Sequence, residues 1–177
     1  MKQHFLFKHY ATRLLLVSFF ALSAAVQVHA QAFDGDSDRK FFLGYTNVGG
    51  KNGVELGYEN GINDYLSYGA KYAFIVDKSV DSDDDGPTFY DNSDLGFYLN
   101  FHLMEPLKLP DNFDIYMGPV ISLKTMSFQT GVRYNFVWLF GVYASSQYNF
   151  FPTRARSEIS GLYPYKFVFS AVITLSF

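Results

Sequence analysis

The last twelve residues of the chain alternate without a break. Phe167, Phe169, Ala171, Ile173, Leu175 and Phe177 make one face; Lys166, Val168, Ser170, Val172, Thr174 and Ser176 make the other. A period of two over that length is a strand, not a helix. About 10 residues of strand, tilted near 45°, are enough to cross the hydrocarbon core of a bilayer.

Seven more segments read the same way: residues 41–48, 53–59, 65–76, 94–104, 113–122, 126–136 and 138–149. In the second of these, Val54, Leu56 and Tyr58 oppose Gly53, Glu55, Gly57 and Glu59. In the sixth, Phe128, Thr130, Val132 and Tyr134 oppose Gln129, Gly131, Arg133 and Asn135. Turn signals separate the segments: residues 49–52, Asn60-Gly61-Ile62-Asn63, and residues 106–112 with Pro106 and Pro110, which cannot donate to a ladder. Two longer polar stretches, 77–93 and 150–164, read as loops. The spacing predicts eight antiparallel strands in an up-and-down barrel and no helix after the first 32 residues. An even strand number puts both termini on one side and the two long loops on the other, the usual arrangement of periplasmic turns and outside loops.

The amino terminus carries its own address. Lys2, Lys8 and Arg13 precede an apolar run over residues 14–28 that is short for a membrane helix. Val28-His29-Ala30 and Ala30-Gln31-Ala32 both place small residues where signal peptidase needs them, so residues 1–32 read as a signal peptide cut after Ala30 or Ala32. Residues 33–40, with Asp34, Asp36 and Asp38, read as a mobile acidic lead-in to a barrel domain over 41–177. With no cysteine in the chain, neither a lipoprotein anchor nor a disulfide framework is expected. The mature chain of about 145 residues is one domain's worth. It keeps 11 of the 14 basic residues and all 17 acidic ones, a formal charge of −6. That balance speaks against a nucleic-acid partner.

Eight alternating strands also describe a soluble barrel with an apolar interior. The two differ in which face is inside. One face carries Gly53, Gly57, Gly69, Gly96, Gly118, Gly131, Gly141 and Ser170. Small residues suit a tight lumen. The other face is large, apolar and nearly uncharged; inside it would overfill eight strands, and against lipid it needs no packing partner. Tyr45, Tyr58, Tyr68, Tyr134, Trp138 and Tyr148 are placed to form aromatic girdles.

The segments NGVELGYENGINDYLSYGAKYAF, DIYMGPVISL and FQTGVRYNFVWLFGVYASSQYNF make the chain resemble the small outer-membrane β-barrels common in Bacteroidetes, related in architecture to OmpA- and OmpX-type barrels. The resemblance covers nearly all of the mature chain. It implies a bacterial outer-membrane location with both termini periplasmic, and contact with outer-membrane lipid and lipopolysaccharide. It also implies that the barrel assembly machinery reads the C-terminal strand through Phe177, Leu175 and Ile173. Val172 stands where that terminal signal usually has glycine.

The predicted lumen face holds Glu55, Glu59, Lys71, Asp94, Tyr98, Asn100, His102, Gln129, Arg133 and Gln147. Charges in a narrow lumen must be paired. Glu55, Glu59, Lys71, Asp94, His102 and Arg133 therefore read as one structural network plugging the interior. Asp81, Asp83 and Asp85 with Gly86 match the start of a calcium loop, but Pro87 and Asn92 occupy positions where ligands belong. The stretch is read as a solvated acidic loop, and no metal or cofactor is expected. Arg154, Arg156 and Glu158 form a charge cluster in the last loop, suited to phosphates or a partner.

Three functions compete. A structural or surface-interaction barrel predicts a closed lumen with Lys71 or Arg133 paired. A narrow porin, or a subunit of a transport or secretion machine, predicts a water path or an oligomer. A lipid-modifying barrel enzyme predicts a lateral opening beside His102 and a nucleophile within hydrogen-bond reach. Ser93 and Glu105 sit at the ends of the His102 strand and the chain lacks a deacylase-like His-x-Ser pattern. The sequence reading is therefore a non-enzymatic barrel of the first kind.

Overall fold

The computed structural model describes residues 30–76, 92–152 and 166–177. A single 3-10 turn, Gly35–Ser37, leads into β1 (Arg39–Val48). Then follow β2 (Lys51–Asn63), β3 (Leu66–Ile75), β4 (Ser93–His102), a one-turn helix α1 (Met104–Leu107), β5 (Phe113–Ser122), β6 (Thr125–Asn135), β7 (Phe140–Pro152) and β8 (Phe167–Ser176). Each strand pairs antiparallel with the next, and β8 pairs back on β1 from Lys40↔Ser176 to Val48↔Val168, closing an eight-stranded barrel.

The period-two pattern settles which face is inside. Phe97 and Ile173 are each 60% exposed on the outer wall, whereas Glu55 and Arg133 are 2% exposed and line the lumen. An apolar interior is thereby excluded. Among the described residues no helix is long and apolar enough to cross a membrane; the apolar surface belongs to the strands.

The interior is not only small and polar. Phe42, Tyr98, Tyr116 and Tyr143 also point inward and form a buried cluster with Val120 and Val172. Three of these rings lie directly across the ladder from a glycine: Phe42 from Gly57, Tyr98 from Gly69, Tyr116 from Gly131. A Cβ on Gly57 would sit 2.4 Å from the Phe42 ring, and one on Gly131 would sit 2.5 Å from the Tyr116 ring. Each glycine is the slot that admits its neighbour's ring. Phe42 and Tyr116 then meet Tyr143 edge-on, at 5.3 and 6.0 Å between centroids.

Local chemistry explains where the strands turn. Gly49 and Gly50, at φ 59° and 90°, make a two-residue hairpin between β1 and β2; both central positions need positive φ, which glycine supplies without strain. The expected turn at residues 60–63 is instead the end of β2, carried past an irregularity between Gly61 and Asn63. Gly61 serves a different purpose: a Cβ there would lie 1.7 Å from the Gly35 carbonyl oxygen, and its N–H donates to the Asp38 carbonyl at 2.8 Å. It is the close-approach point for the chain ahead of β1. The segment from Pro106 turns through α1, a helix that the alternation did not foretell, and ends at Lys108 with φ 50°.

The ladder between β4 and β5 has a gap. It runs from Gly96↔Ser122 to Tyr98↔Val120 and resumes at Phe101↔Met117. The Leu123 N–H reaches the Leu95 carbonyl at 2.9 Å, so odd-numbered β5 residues turn their backbone groups toward β4. Pro119 falls in that phase opposite Leu99 and has no N–H to give.

The acidic lead-in packs against the barrel, and the first strand begins at Arg39, two residues earlier than expected. The Ala32 N–H donates to the Asp111 carbonyl at 2.6 Å. The Asn135 amide donates to the Gln31 carbonyl at 2.6 Å. Ala32 and Phe33 are almost fully buried. Residues 31–38 thus cap the end of the barrel that carries both termini.

The glycine slots give the first prediction. Gly131→Leu should cost about 3 kcal/mol, the upper range for overpacking a filled core, because the Tyr116 ring it displaces is walled in by Tyr143 and Arg133. Urea titration followed by heat-modifiable gel migration measures it; an unchanged midpoint would contradict the slot.

Candidate functional site

β2, β3, β4, β6 and β7 bring their inward polar residues into one connected network. At its centre, Lys71 Nζ donates to Gln129 Oε1 at 2.9 Å and to Gln147 Oε1 at 2.7 Å, with Glu55 Oε2 3.9 Å away. Glu55 accepts from the Tyr143 hydroxyl at 2.8 Å and from Ser170 at 3.0 Å. Gln129 donates to Asn100 at 2.8 Å, and Asn100 donates to Glu59 at 3.3 Å. Glu59 also accepts from the Tyr98 hydroxyl at 3.1 Å and from Arg133 Nη2 at 2.7 Å. The chain of bonds runs from mid-barrel to the end that carries the termini. Beside it, Glu55, Lys71, Asp94 and Gln147 border a cavity of about 20 Å³, room for roughly one water.

Arg133 is the most demanding member. Its guanidinium is 2% exposed and keeps its charge at any ordinary pH. Glu59 meets it on one side; Asp38 Oδ2 lies 3.8 Å from Nη1 on another; the Tyr116 ring lies 5.3 Å from its Cζ. Its Nε and Nη1 have no hydrogen-bond acceptor among the described residues. Asp38, carried by the lead-in, also pairs with Lys40. Burial pushes the Asp38 carboxyl above its usual range, against the pull of Lys40 and Arg133.

His102 closes the end of the network. Its Nδ1 lies 2.7 Å from Asp114 Oδ2 and its Nε2 lies 2.8 Å from Ser67 Oγ; Glu59 Oε1 is 3.9 Å from Nε2. With a carboxylate as acceptor, Nδ1–H is the donor, and in the neutral ring Nε2 accepts from Ser67. Asp114 Oδ1 further accepts the Met104 N–H at 3.2 Å, which ties α1 to the barrel end. Ser67, His102 and Asp114 are each at most 1% exposed. The Phe33 ring of the lead-in lies flat on the imidazole, 3.5 Å between centroids and 4° from parallel.

The structure turns all ten expected lumen residues inward and brings Glu59, Arg133 and His102 into one cluster, with Lys71 and Glu55 in the next layer. Asp94 is 9% exposed and sits in the layer above, beside the small cavity. Ile173, Leu175 and Phe177 face outward, and the Phe177 ring stacks on Phe41 at 5.5 Å. Asp81, Asp83, Asp85, Arg154, Arg156 and Glu158 lie outside the described residues. The sequence reading missed Ser67, Asp114, Asp38 and Lys40. The first two were within reach of it: both stand in the inward phase of the strands flanking β4. Asp38 and Lys40 were hidden by assigning them to a mobile segment.

These features define a class: a closed eight-stranded antiparallel barrel with an apolar outer wall and a charge-paired, hydrogen-bonded interior. Over residues 23–177 the chain belongs to the family described as Family of unknown function (DUF6646). No curated protein matches it. Among solved structures it is similar to the N-terminal β-barrel domain of Pseudomonas aeruginosa OprF, known from a crystal structure. The TM-score is 0.53 and the identity 9%, over 81% of this chain and 100% of that one. At that identity the likeness is one of fold.

The Arg133–Glu59 pair yields a second prediction. Glu59→Ala should destabilise the barrel by about 3–5 kcal/mol, the cost of stranding a buried charge. Replacing both residues by methionine should recover most of that loss, since an apolar pair has no charge to strand. The same urea titration compares them; a double variant as unstable as Glu59→Ala would show that the charges themselves hold the fold.

Proposed function

We propose that this protein is a sealed outer-membrane barrel of the small Bacteroidetes type, acting as a structural or surface-interaction element without enzymatic activity. The observation that carries this reading is the filled lumen. The lead-in covers one end, Arg133 and Glu59 form an ion pair beneath it, the glycine-slotted rings pack the middle, and the Lys71 layer leaves a cavity for a single water. The apolar outer wall supports residence in a lipid bilayer. In this reading both termini face the periplasm, the loops 77–93 and 150–164 face outward toward lipopolysaccharide or a partner, and the C-terminal strand is the segment handed to the barrel assembly machinery. Purified, refolded protein in planar bilayers should be electrically silent. Reproducible ion-selective steps, altered by Lys71→Ala, would replace this reading with a narrow porin or a transport subunit.

One observation favours a second reading. Ser67, His102 and Asp114 are spaced as in a nucleophile–base–acid relay, the nucleophile within reach that a lipid-acting barrel enzyme requires. Against it, Ser67, His102 and Asp114 are buried and Phe33 covers the imidazole face, so a substrate has no approach to Ser67. A fluorophosphonate probe should leave the folded protein unlabelled. Labelling that disappears in Ser67→Ala would establish an acyl-transfer enzyme instead.

A further inference from the structure

We propose that the precursor is cut between Ala30 and Gln31, and that the amino-terminal segment so released, residues 31–38, seats as a tethered plug in the mouth of its own barrel. The inference rests on the sealed-barrel reading and adds the processing site and the fate of the new terminus.

Two peptidase sites, after Ala30 and after Ala32, are open under the small-residue rule, the second in its A-x-A form. The fold distinguishes their products. Among the described residues, hydrogen bonds from this segment to the barrel start with the Gln31 carbonyl, which accepts from Asn135, and continue with the Ala32 N–H on Asp111. Ala32 is fully buried and Phe33 nearly so. A cut after Ala32 would remove both hydrogen bonds and leave Asn135 and Asp111 without those partners. It would also convert the amide of the nearly fully buried Phe33 into an ammonium. Taking a new charge out of water opposes seating of the segment. A cut after Ala30 keeps both of these hydrogen bonds and leaves the charged terminus on Gln31, which is only partly covered.

The plug engages the mouth at four chemically distinct points. Phe33 lies on His102. Asp38 supplies a carboxylate to Lys40 and Arg133. The Gly35 carbonyl nests against the bare face of Gly61. The Ala32 backbone bonds to the chain just before β5. Asp34, Asp36 and Ser37 remain exposed. The segment therefore presents its buried residues to the mouth and its acids to water, the pattern of a fitted part and not of a loose tail.

The test has two arms, neither of which depends on conductance. The first is the intact mass of the protein expressed with its leader and extracted from the bacterial envelope. A chain of residues 31–177 is expected; a chain starting at Phe33, or one that keeps its leader, would overturn the assignment. The second arm uses the absence of native cysteine. Ala32→Cys and Ser37→Cys are each treated with a membrane-impermeant maleimide in the folded state. Residue 32 should react about tenfold or more slowly than residue 37, as a protected site that must open first, and the difference should vanish in urea. Equal rates in the folded protein would show that the plug does not seat. If Ala32→Cys does not fold, Phe33→Cys against Ser37→Cys gives the same comparison.

Discussion

Closing eight strands on themselves leaves an interior too narrow for chance, and the pairing of rings with glycines is how this chain meets that constraint. Every inward side chain competes with one from across the barrel. Phe42, Tyr98 and Tyr116 fit because the residue across the ladder has no side chain at all. The rings do more than fill space. Tyr98 and Tyr143 extend hydroxyls to Glu59 and Glu55, so the apolar layer also sets the acids that the cations must find. Take away the slots and the rings shift, and with them the hydrogen bonds that make buried carboxylates tolerable.

Charge follows from that geometry. Glu59 sits where it can take Arg133, Tyr98 and Asn100 together. A buried carboxylate with several donors is a stable element; one with a single donor is not. Arg133 is less fully served by the barrel alone, and Asp38 from outside the strands supplies its second anion. The lead-in is thus part of the electrostatic solution of the interior. The barrel wall and its amino-terminal segment form one structure in which each supplies what the other lacks.

Much of this was readable from alternation. Strand number, closure and the inward phase of Glu55, Glu59, Lys71, His102 and Arg133 follow from a period of two, because one face must meet lipid or water and the other its own neighbours. The residues that escaped did so for physical reasons. Asp38 and Lys40 lie in a stretch whose acidic composition imitates a solvated tail, whereas Arg133, the Phe33 stack and the backbone bonds of residues 31–38 hold it at the mouth. Gly61 in Asn-Gly looks like a turn; it is glycine because another backbone passes against it. Ser67 and Asp114 stand in the inward phase of their own strands, but their meeting at His102 depends on the register across three strands, which no single strand encodes. The inward rings were underestimated since their cost in space is cancelled by glycines on different strands.

A closed barrel has no edges, yet its seams are not equal. At Pro119 the wall lacks the donor that would tie it to Leu99, so parting β4 from β5 there forfeits fewer backbone bonds than parting any fully laddered pair. The side of the network nearest that seam is Asn100, which links Gln129 to Glu59. Lateral breathing of the wall and loosening of the interior are therefore joined at one place. The amides flanking that proline are where hydrogen exchange would first register the barrel letting go.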